Sequence, residues 1–565
     1  MNRLYRIPRQ WLAFLLCWTT LGVFAQEEVK LAPVTRTYAI TNVNIIQGPG
    51  RKVDMGTVII RNGIIQNVGK NLSIPADAIV IKADSMYVYA GFIDGYSRAG
   101  VTKPKQETNR ERPKDPGNPD PEQAGITPQN DVRTSLNPTD KSVEELRALG
   151  FTTAQVVPYG GMLPGTGSII QLGGETANEM VLLANSAFYS ELTGAQRMYP
   201  NTVIGVMSKY RELYRQAAQA KAYESMYASN RAGLERPTND KILEAFYPVI
   251  DKRVPVLFKA DRYLDANRVL LLQKDLGFNV VLGDVKDCWD MINKIKSANA
   301  KVFLSLDLPD AVKEEKKDEK KEEAKDQSNA EKEALEKRKA ESIAQYVAQA
   351  SAFQKAGVSF GFSTASAKTK DIPANLRRII AAGLTEDQAL AALTTAPAQL
   401  LGIADRVGTV DNGKIANLVI SDKPYFNEKA KVRYVFVDGV LYKYEVKEEK
   451  KADAKNGNGK KADPNGKWSY TTETPQGNST GVINIKNEAG TYSGTITNSM
   501  SDRETELKSI MVDGNVLSFS FGFDAGGGSM TIDVNLTIDG TDFEGTMSVG
   551  QYGSFPMKGS KDPNR

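Results

Sequence analysis

Apolar and polar residues alternate with a period of two over residues 38–46, and the run stops at Gly48-Pro49-Gly50, so the chain opens on a β-strand. Residues 57–60 and 64–68 repeat the pattern across Arg61-Asn62-Gly63. Asn-Gly there supplies the positive φ of a tight hairpin. Residues 78–81 lead into the central stretch, Tyr89-Ala90-Gly91-Phe92-Ile93-Asp94-Gly95-Tyr96-Ser97-Arg98, an apolar strand running out into a polar tip. Downstream, residues 153–157, 168–172, 254–258, 279–282, 301–306 and 359–362 are strand-like and alternate with helical stretches. Alternation over roughly 300 residues predicts an α/β fold built on a (β/α)8 TIM-like barrel. Thr385-x-x-Gln388 before an apolar stripe through Ala392, Leu393 and Ala396 marks a capped helix start. Further short strands at 407–410, 416–420 and 432–441 close this part of the chain.

Residues 468–558 change character, with short alternating strands and turns at 475–477, 513–515, 525–528 and 539–540. Tyr492-Ser493-Gly494-Thr495-Ile496 is echoed by Phe543-Glu544-Gly545-Thr546-Met547. Six to eight such strands predict a small antiparallel barrel or sandwich. The predicted organisation is a signal peptide over 1–25, a composite β-sandwich from 37–90 and 406–446, and a barrel over 91–405 with a charged insert at 313–339. A Lys- and Gly-rich linker over 447–466 and an all-β domain over 467–565 complete it.

Composition narrows the picture. A formal net charge of +4 over 565 residues favours neither nucleic acid nor an anionic membrane as partner. Arg3, Arg6 and Arg9 precede an apolar run from Trp11 to Phe24 and a Val-Phe-Ala cleavage pattern, a secretory signal cut after Ala25. About fifteen apolar residues fall short of the roughly 20 that a spanning helix needs. The predicted location is therefore outside the cytoplasm, in the periplasm. Leu15-Leu16 before Cys17 does not fit a lipoprotein signal, so the mature chain keeps only Cys288 and has no internal disulfide. Beside Trp289, that thiol reads as core filler.

The chain has no histidine at all. That fact matters because Gly91-Phe92-Ile93-Asp94, Gly165-Thr166-Gly167 and the run from Gly383-Leu384-Thr385 through Thr394-Thr395-Ala396-Pro397 to Gly402 resemble the metal-dependent amidohydrolases, nearest their exported imidazolonepropionase-like group. The resemblance covers about residues 37–445. It implies the barrel flanked by a discontinuous β-sandwich and, in the family, hydrolysis of non-peptide C–N bonds by a hydroxide on zinc. It also implies that the metal ligands are gone. Tyr96 and Arg98 stand where the family's first two histidines stand, Lys259 holds another such place, and Ala365 replaces the catalytic aspartate. Gly466-Lys467-Trp468 is similar to the opening of lipocalin-like barrels.

The pocket candidates are Asp94, Lys259, Asp261, Asp284 and Asp307. As metal ligands the carboxylates would suit Mg²⁺, Mn²⁺ or Ca²⁺ rather than zinc; otherwise they are caps and ion-pair partners of Lys259 and Arg98. With two cations in the old metal pocket, an electropositive site without cofactor is expected. Three functions fit. One is an inactive homologue that binds a small anionic or amide-bearing ligand or supports an active paralogue in a mixed oligomer, a homo-oligomer being the other assembly expected. The second is a hydrolase rebuilt on Lys259 with Asp307 or Asp310, and the third is a scaffold using the C-terminal domain and the insert.

Overall fold

The computed structural model describes residues 36–104, 113–310, 327–444 and 463–562, with short breaks at 475–476, 489–490, 500, 525–528 and 550–553. The expected signal peptide, most of the linker and residues 313–326 of the charged insert lie outside the described residues. The chain divides into two compact units, Met1–Val446 and Lys447–Arg565.

The first unit is built on an eight-stranded, nearly closed sheet: β1 (Phe92–Ser97), β2 (Phe151–Val156), β3 (Gly165–Gln171), β4 (Val181–Ser190), β5 (Val256–Lys259), β6 (Val280–Val285), β7 (Lys301–Ser305) and β8 (Phe360–Ser363). Neighbours are parallel except that β3 runs antiparallel to both β2 and β4. The expected barrel is present, with one strand reversed. The reversal has a local cause, since only the short stretch 157–164 joins β2 to β3, too little for a helical crossover. As a result the β2–β3 turn, carrying Tyr159, joins the strand ends at the mouth of the barrel. Elsewhere helices make the crossovers, among them Val203–Ser229, Tyr263–Leu276 and Gln327–Lys355.

The barrel is filled, not hollow. Tyr96, Val157, Ala187, Tyr189, Leu257, Val281 and Phe303 form an apolar layer inside it. The Phe303 ring reaches the axis because Gly95 has no side chain: a Cβ there would lie 1.9 Å from the ring.

A second sheet draws on both ends of this unit. Its order runs Val440–Lys443, Val432–Val437, Leu418–Ser421, Tyr87–Ala90, Thr37–Gly48, Arg51–Arg61, Ile64–Gly69, with Ala78–Lys82 also paired to Thr37–Gly48. Asn42 at φ +55° and a break in register let the first strand change partners midway, from 78–82 to 87–89. The sheet thereby folds over its own core of Ile40, Val43, Val58, Ile60, Leu418 and Phe436. The Asn62-Gly63 turn has φ of +53° and +75°, as the hairpin requires. The capping box also forms, Thr385 Oγ1 accepting from Gln388 N at 3.2 Å and Gln388 Oε1 from Thr385 N at 3.0 Å.

The second unit is a nine-stranded, wholly antiparallel, barrel-like sheet from Gly466 to Lys561. Its interior holds Trp468, Phe519, Phe521, Ile532, Val534 and Phe543. The echoed glycines serve one purpose. Gly494 faces Ile485 and Gly545 faces Leu536 across a ladder, and a Cβ on either would meet a neighbouring backbone oxygen at 2.4 or 2.0 Å.

Candidate functional site

The mouth of the barrel is assembled from the C-terminal ends of β1 and β4–β8. From β1, Tyr96 points into the barrel and its hydroxyl meets that of Tyr189 at the end of β4, 2.7 Å away. Tyr189 donates to Glu191 Oε1 at 2.7 Å, and Arg98 Nη2 donates to the same carboxylate at 2.6 Å and to the Tyr189 oxygen at 3.2 Å. The Arg98 guanidinium lies over the Tyr159 ring, 4.4 Å from its centroid. Burial raises the pKa of both phenols, so each stays protonated and can donate. Tyr189 then donates once and accepts twice, and the network closes on itself. One donor is left over: Arg98 Nε is buried without a hydrogen-bond partner among the described residues.

The other cations are also paired. Lys259 Nζ lies 3.5 Å from Asp261, and Lys286 Nζ 2.6 Å from Asp307. The mouth is thus a ring of matched charges, not the electropositive pocket expected from Arg98 and Lys259. The correction has a plain cause: Arg98 is met by Glu191 from another strand and Lys259 by Asp261 two residues further on, and half-buried charges settle beside opposite ones.

Asp94 and Asp284 are fully buried and have no cation partner among the described residues. Asp94 accepts from Thr364 N at 3.1 Å, from Tyr96 N at 3.3 Å and from the Thr364 hydroxyl. Burial pushes its pKa up to about 7, against those hydrogen bonds. Asp284, held at φ +60°, accepts from Ser363 Oγ at 3.2 Å and from the Ser366 hydroxyl. Ala365 sits between these residues, partly buried and with no functional group. Cys288 is fully buried and its thiol is pushed up to about 12 by burial, so it is no nucleophile.

The residues present do not fit a metal centre. Among the described residues no three of His, Cys, Asp and Glu gather where they could hold an ion. The places of the first histidine pair are filled by a phenol bonded to another phenol and by a guanidinium bonded to a carboxylate. Asp307, offered with Lys259 as a rebuilt catalytic pair, is bound to Lys286 instead. Sequence reading missed Tyr189 and Glu191, which end a strand it did not identify. The signal was there: Ala187-Phe188-Tyr189-Ser190 is an apolar run ending in a polar tip, like the other barrel strands.

Residues 302–442 match the amidohydrolase family. The crystal structure of an amidohydrolase from Thermotoga maritima MSB8 superposes with a TM-score of 0.59 at 20% identity, covering 72% of this chain and 100% of that one. Two further structures align at a TM-score of 0.41, too low to carry any argument. One is an amidohydrolase at 17% identity, covering 73% and 100%. The other is a prolidase complexed with N-methylphosphonate-L-proline, at 15% identity and covering 72% and 100%. No curated protein matches. The amidohydrolase match thus lies in the later barrel strands and the sheet segments that follow them, and the barrel fold is shared with the Thermotoga maritima amidohydrolase.

Proposed function

We infer that this chain is an exported, periplasmic member of the amidohydrolase family that has lost catalysis and keeps the barrel mouth to bind a small, neutral, amide-bearing ligand. The observation that carries this reading is the network Tyr96–Tyr189–Glu191–Arg98, in which the two residues at the positions of the family's first histidine pair, Tyr96 and Arg98, are bonded to a phenol and a carboxylate. A metal-bound hydroxide and a base are both needed for the family's hydrolysis. Among the described residues no group of carboxylates and thiols gathers to hold the metal, and Ala365 stands in the place of the base.

The ligand class follows from charge and hydrogen bonding. Arg98, Lys259 and Lys286 are each neutralised by a carboxylate, which disfavours an anion. The buried Arg98 Nε–H is a donor awaiting an acceptor such as a carbonyl oxygen. The test uses the full chain purified without a histidine tag. We expect less than stoichiometric metal, no turnover of cyclic amides or N-acyl amino acids, and thermal stabilisation by members of the same panel. Bound metal at one per chain, with turnover that Lys259→Ala or Asp307→Asn abolishes, would overturn the reading.

A further inference from the structure

If the ligand's carbonyl is to meet Arg98 Nε–H, as inferred above, something must move, because that nitrogen is buried. The groups around Arg98 show which part can. Tyr189 is fully buried and bonded to Tyr96, to Glu191 and to Arg98 itself. Glu191 accepts from Arg98 and Tyr189 and, through its second oxygen, from Thr193 at 3.2 Å, while its own N–H donates to the Met162 carbonyl at 3.0 Å. Tyr159 is different. It is partly exposed, and its hold on the guanidinium is the face of its ring, 4.4 Å away. Such a contact is weak beside charge-assisted hydrogen bonds.

The backbone that carries Tyr159 is braced on both sides. Val157 N–H donates to the Ser97 carbonyl at 3.2 Å, Leu163 N–H to the Gly125 carbonyl at 3.0 Å, and Thr127 N–H to the Leu163 carbonyl at 2.8 Å. Between these ties Gly161 packs back to back on Gly125, where a Cβ would come within 2.7 Å of the Gly125 Cα. Bridges from Ile126 to Leu163 and from Asp131 to Thr166 extend the brace. With the main chain held, rotation about the Tyr159 side-chain bonds is the motion left.

We propose that Tyr159 is a gate over Arg98: its ring lies on the guanidinium in the closed form and swings out to admit an amide, whose carbonyl then takes the Nε–H. The gate rests on the reading that Arg98 meets the ligand, and it adds how that happens. Opening gives up about one cation–π contact, which leaves the open form on the order of a tenth of the population. Apparent affinity is lowered by the same factor, about tenfold, relative to a site without the ring.

The experiment reads the buried nitrogen directly. In the full chain carrying nitrogen-15 arginine, exchange of the Arg98 Nε–H with water is followed by NMR, the signal being assigned by its loss in Arg98→Lys. Tyr159→Ala should speed that exchange about tenfold, with backbone protection in β1 and β4 unchanged. Tyr159→Phe keeps the ring and should exchange at the wild-type rate. Hydantoin, a neutral cyclic amide, serves as the binding probe and should associate about tenfold faster with Tyr159→Ala than with the wild type. Wild-type exchange as fast as that of an exposed arginine would overturn the gate whatever the variants do, and so would an unchanged rate in Tyr159→Ala. Failure of hydantoin to bind either protein would overturn the ligand reading alone, since the exchange rates still decide the gate.

Discussion

The two units solve the same problem, filling the inside of a rolled-up sheet, in opposite ways. The C-terminal sheet encloses Trp468, Phe519, Phe521, Ile532 and Val534, apolar side chains whose burial is favourable without further arrangement. The barrel mouth encloses Asp94, Asp284, Glu191 and two phenols, each of which costs free energy to bury unless every donor and acceptor is matched. A small domain of the first kind needs only volume and pattern. A site of the second kind must be assembled from distant strands to within hydrogen-bonding distance, and a barrel retains such a cluster where stability alone would favour apolar replacements. The contrast sets a polar, hydrogen-bonded barrel mouth against an apolar C-terminal interior.

Three substitutions sharpen the contrast, from the largest expected effect downward. Trp468→Ala removes a ring that is 2% exposed, packs edge-on against Phe543 at 5.7 Å and donates its N–H to the Pro464 carbonyl. It should cost the C-terminal unit about 3–5 kcal/mol and leave the barrel transition unmoved in calorimetry. A single shared shift would break the comparison. Gly95→Val drives a side chain into Phe303 and should destabilise the barrel by about 3 kcal/mol, with Phe303→Ala in the same chain recovering part of the loss. Additive losses would mean that the two residues do not share one space.

The smallest effect is the most telling. Glu191→Ala strands Arg98, whose side chain keeps a quarter of its exposure, and should cost about 2 kcal/mol after allowance for solvent screening. Replacing both by apolar residues, Arg98→Met with Glu191→Leu, should cost less than about 1 kcal/mol. Loss of ligand-induced stabilisation in that well-folded double variant would separate the network's role in binding from its role in folding. Retained binding would remove Arg98 from the site.

Much of the fold was legible in the chain. Residues 153–157, 279–282 and 301–306 overlap β2, β6 and β7 with ends displaced by at most three residues, because apolar runs bounded by polar tips have few alternatives. Asn62-Gly63 and Thr385-x-x-Gln388 specify their turn and cap locally, from φ and from side-chain reach. β4 escaped notice because its first half, Val181 to Ser186, is only partly buried and mixes polar with apolar residues. With it went Tyr189 and Glu191, half of the network. The positive charge expected in the mouth failed for a related reason: Asp261 stands two residues from Lys259 in the sequence, whereas Glu191, which neutralises Arg98, comes from the strand that escaped notice.

What the sequence determined by itself is therefore an omission and a scaffold. A chain without histidine cannot build an imidazole-held metal site in any conformation, and the period-two runs with their turn residues specify strands whatever lies around them. Tertiary structure alone decided which carboxylate neutralises which cation, that Phe303 fills the axis beside Gly95, and that Asp94 faces Thr364 across 270 residues of chain. Those outcomes depend on distances between strand ends and on exclusion of water, and neither is a property of any local stretch of sequence.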